Sequence, residues 1–238
     1  MGNIQDVYRL LDSLTADQRR NVFAHLRKEF PIHPLEQRVS TQAEVILEAF
    51  DRAGPFTFRM FRGVIAEAAF ALEVVDQLEG WSDVTPAGEH PFDFQLRDDV
   101  GQVKVQVKLQ RSEGSQPLVT GRQRRDGLPA DMFIVETDKS RKGTDASGNS
   151  TRGYRFGSFD ILAVSLFPST LDWSRFRYTL ERWLWPRPGD AEWIYKYQPV
   201  AREPNNDWTD DFETAVEWFR SGLEKRIAQD DRQVGLGL

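Results

Sequence analysis

Apolar positions recur at helical spacing through the first third of the chain, then switch to strict alternation near its middle. Ile4, Val7, Leu10, Leu11 and Leu14 predict a first helix. Thr15-Ala16-Asp17-Gln18 is a capping-box signal for a second, with Val22, Phe23, Leu26 and Phe30 expected to face inward, and Pro31 and Pro34 end it. A third helix is predicted from near Ser40 to Gly54, with Val45, Ile46, Ala49 and Phe50 on its apolar face. A long fourth runs from about Thr57 to Leu78 and closes at Gly80. Its expected buried stripe is Phe61, Val64, Ile65, Ala68, Ala69, Leu72 and Val75.

The period then becomes two. Phe92, Phe94 and Leu96 alternate with polar residues, Asp98-Asp99-Val100-Gly101 is turn chemistry, and Val103, Val105, Val107 and Leu109 alternate again, which predicts a hairpin over Pro91 to Arg111. Asp131 to Thr137 reads as a buried strand, Asp138 to Gly153 as a long polar loop, and Ile161 to Phe167 as a central strand ending at Pro168. The aromatic and basic stretch from Leu171 to Arg202 reads as a hydrophobic cap, although its interleaving also suits base stacking. A last helix, capped by Asp207 or Thr209, turns Phe212, Ala215, Val216, Phe219 and Leu223 inward, and the tail from Gln229 frays. A hairpin packed on a helix, followed by strand, connection and strand, gives an α/β fold with a mixed β-sheet.

The hairpin has two unlike faces. Residues two apart on a strand point the same way, so the apolar row of the second strand is opposed by Lys104, Gln106, Lys108 and Gln110. Asp93 has the opposite parity to Phe92 and Phe94 and can face Gln106 and Lys108. A carboxylate and an amide oxygen suit a hard cation such as Mg²⁺, and a lysine beside them can hold or activate a water near a phosphate. That set fits metal-assisted phosphodiester hydrolysis, while the plainer reading is a solvated row on an edge strand. On the fourth helix Glu67 lies beside apolar neighbours and wants a partner or an ion; Glu73 is the runner-up and Glu89 an alternative.

Pro91-Phe92-Asp93, twelve residues, then Gln106-Val107-Lys108 resembles the PD-(D/E)XK nuclease superfamily, which includes many type II restriction endonucleases. Gln106 departs from the commoner Glu, although a Gln-x-Lys form occurs there. The resemblance covers roughly residues 56 to 167 and implies a restriction-endonuclease-like αβββαβ core. The domain reading that follows is an N-terminal helical region (1–55) and a nuclease domain (56–238). In the latter the core is 56–167 and an aromatic and helical extension is 168–238, all expected to form one compact unit. Carried onto this chain, the resemblance implies catalytic roles for Glu67, Asp93, Gln106 and Lys108, with Asp93, Gln106, the carbonyl of Val107 and Glu67 around Mg²⁺, or Mn²⁺ as its substitute. It also implies cleavage of double-stranded DNA at a short sequence, commonly by a homodimer. Phe-Asp-Ile-Leu-Ala-Val over 159–164 looks like a further core strand of such nucleases, and Asp160 takes a structural or recognition role.

Charge sharpens this picture. The 238 residues carry a net charge of −6, yet from Lys104 to Arg155 there are 11 basic against 6 acidic side chains. A locally basic surface on an acidic protein can grip phosphates and limit non-specific binding. The DNA-contact candidates are Gln110, Arg111, Arg122, Arg124, Arg125, Lys139, Arg141, Lys142, Arg152 and Arg155. With no cysteine there is no disulfide or thiolate site, and His25, His33 and His90 lack ligand spacing. No apolar run approaches membrane-spanning length and no signal pattern opens the chain, so a cytoplasmic protein without a membrane partner is expected. Phosphate-binding and dinucleotide glycine motifs and a Gly-x-Ser-x-Gly elbow are absent. Three other readings remain: a repair or recombination nuclease acting on DNA structure, an inert DNA-binding or assembly module, and an RNA-directed nuclease.

Overall fold

The computed structural model describes residues 3–30, 33–114, 116–120, 131–139 and 152–227. The chain divides into two units, residues 1–58 and 59–238. The first holds helices α1 (Ile4–Ser13), α2 (Ala16–Glu29), α3 (Leu35–Arg38) and α4 (Ala43–Asp51), while α5 (Pro55–Glu73) begins in it and ends in the second.

Local chemistry in the first unit follows the sequence closely. The Asn3 side chain caps α1, and at α2 the Thr15 hydroxyl accepts from the Gln18 amide while the Gln18 side chain accepts from the Thr15 N–H, so two orphan donors are answered reciprocally. Packing departs from it. Phe23, Leu26 and Phe30, expected inward, are exposed, and no residue of α1 or α4 is buried. Among the described residues of this unit Glu36 alone is buried as a whole residue, and the side chain of Arg27 is buried against it. Glu36 pairs with Arg27 and accepts from the Ala43 N–H at 2.6 Å, and Arg27 also reaches Glu44 at 2.9 Å. A polar hub therefore stands where an apolar core was expected. The spacing marked each stripe, and the stripes do not close on one another.

In the second unit β1 (Ser82–Asp83), β2 (Phe94–Arg97) and β3 (Gln102–Leu109) form an antiparallel run. Next come the small hairpin β4 (Ser112–Glu113) and β5 (Gln116–Pro117), then β6 (Phe133–Glu136), β7 (Ile161–Ser165), the single-turn helix α6 (Phe167–Thr170) and β8 (Phe176–Leu180). After them lie β9 (Pro186–Arg187), β10 (Asp190–Ile194), β11 (Tyr197–Val200) and helix α7 (Phe212–Arg220). The main sheet has the order β1-β2-β3-β7-β8, with β3 parallel to β7 and the other pairs antiparallel. The fold is mixed α/β.

Phe70 of α5 is the keystone of the core. Fully buried, it meets Phe94 at 5.2 Å, Phe176 at 5.5 Å and Phe212 of α7 at 6.0 Å between ring centroids, so one aromatic side chain joins two helices to the sheet. The buried face of α5 is Ala66, Ala69 and Phe70. Val64, Ile65 and Leu72, expected in the stripe, are exposed. α5 is apolar almost all round, so periodicity alone did not fix which face turns in. It also ends earlier than expected, at Glu73, with a 3₁₀ turn over Val75–Gln77 before Gly80 (φ 78°).

Three further expectations change. Residues 171–202 supply a strand of the main sheet, so the expected core boundary at 167 falls inside it. β8 is buried on both faces, and its Phe176, Tyr178 and Leu180 carried a period-two signal that the surrounding aromatics obscured. The last helix is capped by Asp211, whose carboxylate accepts from the Thr214 N–H at 2.9 Å, and Leu223 is exposed. Between β3 and β7 no helix lies among the described residues; β6 there pairs with β11, while 121–130 and 140–151 lie outside them. No described helix is long and apolar enough to cross a membrane.

Candidate active site

β3 is the central element of the site because it is paired on both edges, to β2 and to β7. Its pleat sends Val103, Val105 and Val107 to one face and Lys104, Gln106 and Lys108 to the other. Asp93, immediately before β2, is locked to the strand by its own N–H, which donates to the Val105 carbonyl at 2.9 Å. The tight turn that sets this register is closed by Asp98, whose N–H donates to the Gly101 carbonyl at 3.1 Å and whose carboxylate is held by Arg220 at 2.6 Å. That guanidinium, helped by the turn's own N–H groups and opposed by burial, drops the Asp98 carboxyl to about 2.

Asp93 and Gln106 are in direct contact. One oxygen of the Asp93 carboxylate accepts from the Val107 N–H at 2.7 Å and from the Gln106 side-chain amide. The same amide nitrogen donates to the Val107 carbonyl at 3.2 Å. Two oxygens, one anionic and one from the backbone, thus converge on a single buried donor.

Lys108 is half-buried, with its Nζ donating to the Tyr154 hydroxyl at 3.4 Å and lying 5.2 Å from that ring's centroid. Burial lowers its pKa, opposed by Asp93, Glu67, Asp138 and Glu136 in that order. Burial likewise raises Asp93, against the Val107 N–H, Lys108 and Gln106. Glu67 of α5 is pushed up to about 7, first by burial and then by the charge of Asp93, with Lys108 pulling the other way. These mutual influences place Glu67, Asp93 and Lys108 in one electrostatic neighbourhood. Glu73 and Glu89 are exposed.

The donor set suits a hard cation. Asp93, the Val107 carbonyl and Glu67 offer oxygen, and Gln106 offers its own if the amide turns end for end. Among the described residues no cluster of three or more carboxylate, imidazole or thiol side chains could hold a metal ion. A cation held at this place would have to draw on amide, backbone and water oxygens beside the carboxylates.

Tyr154 is the site residue that sequence reasoning missed. Buried and edge-on to Phe159 at 5.5 Å, it takes Lys108 at its hydroxyl and ring and Lys139 at 5.1 Å from its ring centroid. Its carbonyl accepts from the Ile194 N–H at 2.9 Å, tying it to β10. A Cβ on the preceding Gly153 would stand 3.0 Å from the rigid Trp193 ring, so the chain approaches β10 as closely as only glycine permits. Nothing in the spacing signalled this, because Tyr154 meets Lys108 across 46 residues.

The DNA-contact candidates separate. Gln110 is buried, with its carbonyl oxygen accepting from the Ser169 hydroxyl at 2.5 Å, so it does not belong to an open surface. Arg111 is turned to Glu136 at 2.7 Å and stacks over Tyr197. Lys139 and Arg152 pair through the backbone, the Lys139 N–H donating to the Arg152 carbonyl at 2.7 Å. Arg155 is exposed over Trp193, which Arg187 approaches at 5.1 Å. Arg122, Arg124, Arg125, Arg141 and Lys142 lie outside the described residues. Asp160 accepts the Lys104 N–H at 2.7 Å and so pins β3 to the start of β7.

No protein-family model matches the chain, and no curated protein is detectably similar to it. Among solved structures, that of a bacterial homing endonuclease, I-Ssp6803I, aligns with 68% of this chain and 94% of its own at a TM-score of 0.38 and 19% identity. At that level the likeness carries no functional weight.

Proposed function

We propose that this protein is a metal-dependent endonuclease of restriction type, hydrolysing phosphodiester bonds of double-stranded DNA at a short specific sequence. The observation that carries the reading is the meeting of the Asp93 carboxylate, the Val107 carbonyl and the Gln106 amide on one side of β3, with Lys108 two residues along the same face. The resemblance of this segment to PD-(D/E)XK nucleases adds to it. Mg²⁺, with Mn²⁺ as substitute, would be held by Asp93, Gln106, the Val107 carbonyl and Glu67, and supplies Lewis acidity toward a phosphoryl oxygen when bound. The chain's own part lies with Lys108. Depressed by burial and steadied by Tyr154, its amine is suited to orient the attacking water and take up its proton. Arg155, exposed and paired with Glu192 at 3.3 Å, would exchange that carboxylate for a phosphate.

One observation favours an alternative, a catalytically inert DNA-binding module. The Gln106 amide already donates to one Asp93 oxygen and to the Val107 carbonyl, two of the oxygens that a cation would take, so these two have a partner without one. A plasmid digest separates the two. With Mg²⁺ or Mn²⁺ the nuclease yields discrete bands, while Asp93→Ala and Lys108→Ala lose roughly 10²–10⁴-fold in rate and keep their fold. Intact plasmid that still shifts in a gel would establish the inert module. A smear without discrete bands would point to structure-directed cutting, and preferential cleavage of competing RNA to the RNA-directed reading.

A further inference from the structure

Trp193 stands apart from the other tryptophans of the chain. Trp183, Trp185 and Trp208 are buried, and Trp81, Trp173 and Trp218 pack against the core, whereas Trp193 lies half-buried on β10 outside it. Its neighbours are cations. The Arg155 guanidinium sits 4.9 Å from the ring centroid and that of Arg187 5.1 Å, both within cation–π reach. Topology within the second unit sets this up. β10 is the middle of three antiparallel chains, with β9 paired on one edge and residues 154–156 on the other, where the Phe156 N–H donates to the Glu192 carbonyl at 3.0 Å. Arg155 is the direct partner of Trp193 and so projects from the same face, while Arg187 reaches the ring from β9. Tyr154 precedes Arg155 and turns the opposite way, to Lys108.

Core packing does not account for this arrangement. An indole held off the core removes little apolar surface from water, and two guanidinium groups gathered on one ring repel each other unless an anion joins them. Glu192 pairs with Arg155 at 3.3 Å, both side chains being exposed, and among the described residues Arg187 has no carboxylate partner. The cluster is left with one positive charge in excess. Backbone space is also reserved for it: a Cβ on Gly153 would stand 2.7 Å from the Arg187 guanidinium and 3.0 Å from the Trp193 ring, so glycine lets both side chains lie against the chain.

We propose that Arg155, Trp193 and Arg187 form a pad for an unpaired nucleotide of single-stranded DNA. The chemistry selects this ligand. An acidic peptide would use the guanidinium forks and leave the indole idle, and a quaternary ammonium group would use the indole and be repelled by the forks. A nucleotide uses both, since its base stacks on the indole or on a planar guanidinium while its phosphate takes a fork bidentately. In a duplex the base faces are already stacked on one another, so only an unpaired base offers one. The pad lies on the outer face of the ribbon whose inner face holds Tyr154, so binding there is separate from chemistry at Lys108. The choice of DNA over RNA rests on the nuclease reading; the pad itself does not, and an inert binding module would use it equally.

Fluorescence anisotropy of a short labelled oligothymidylate, titrated with the full chain at low salt and without divalent ions, tests it. Binding is expected, and Trp193→Ala should weaken it about tenfold, the loss of one stacked base, with part of it recovered in Trp193→Phe. Arg187→Ala should lower the salt slope by about 0.7, one phosphate contact on a single strand, whereas Arg187→Lys should keep the slope. Glu192→Gln should tighten binding, because it frees Arg155 of its carboxylate. That variant changes an exposed side chain and covers the case in which Trp193→Ala loses its fold, which a melting curve reports. A blunt duplex should not sense Trp193→Ala. No binding by wild type, an affinity unchanged in Trp193→Ala, an equal loss on duplex and single strand, weaker binding by Glu192→Gln, or tighter binding of oligouridylate than of oligothymidylate would each overturn the proposal. No arm reads cleavage, so an uncut plasmid counts against the nuclease reading alone.

Discussion

The two units obey the same local rules and differ in what those rules accomplish. In the first, a capping box and three-residue spacing build helices whose apolar stripes are exposed, and the buried group among the described residues is a carboxylate paired with a guanidinium. In the second, equally ordinary patterns close on Phe70, and the carboxylate beside the sheet is answered by an amide and a backbone N–H. Amphipathic spacing shows that a helix has a face to cover; what covers it is decided elsewhere. The contrast in carboxylates is chemical. Glu36 has a guanidinium in direct contact, whereas Asp93 and Glu67 are held up by burial that Lys108 only partly offsets, the state in which an added cation gains most.

The largest break in that contrast comes from Phe70→Ala. Removing a ring that touches α7 and two strands should cost about 3–5 kcal/mol, read by chemical denaturation through tryptophan emission and independent of protein concentration. A loss under about 1 kcal/mol would mean that the core collapses around the gap and that Phe70 is no keystone. Gln106→Glu acts on the carboxylates. Against Asp93 it sets a second anion where a donor stood, so without divalent ions the expected loss is on the order of 2–3 kcal/mol, growing as the pH rises. Mg²⁺ should restore most of it, and a loss that Mg²⁺ leaves untouched would show that this pocket does not hold cations. Smaller again is Thr15→Ala, which removes one half of the capping box and should cost about 1 kcal/mol. Hydrogen exchange should quicken in the first turn of α2 and leave β3 and β7 unchanged; a spread into the sheet would join units that this comparison separates.

These outcomes follow what the sequence made legible. Strict alternation across Phe92 to Leu109 placed Asp93, Gln106 and Lys108 on one side of a hairpin, because a period of two leaves no freedom of facing once the register is set. Helices were legible as helices and illegible in orientation. α5 carries apolar residues around most of its circumference, so Glu67 could be nominated but its neighbours Val64 and Ile65 were turned the wrong way. Tyr154 was beyond reach, since a contact made across a long polar segment has no periodic trace. β8 is the instructive intermediate: its alternation was present, and the density of Trp and Arg around it suggested a surface cap.

The smallest expected effect concerns Glu67, and its sign can be worked out. Burial, then Asp93, lift its carboxyl from the ordinary 4.5 to about 7, so the folded chain holds this proton more tightly than the unfolded chain does. The contribution to stability is therefore fully present below about 4.5 and is lost as pH rises through about 7. Because the carboxylate is half-exposed, water screens the effect and keeps it modest. Glu181, buried and accepting from the Gly157 and Ser158 N–H groups, is also raised to about 7, so the wild-type slope has at least two sources. Glu67→Gln removes one of them, and its melting temperature should fall less than that of wild type between about pH 5 and pH 7.5 in the absence of divalent ions. A cation competes with protons for the same carboxylates, so Mg²⁺ should stabilise wild type more at the upper end of that range than at the lower, and the variant less at both. Identical slopes for the two proteins would show that Glu67 does not titrate in this window and would remove it from the carboxylates a cation draws on.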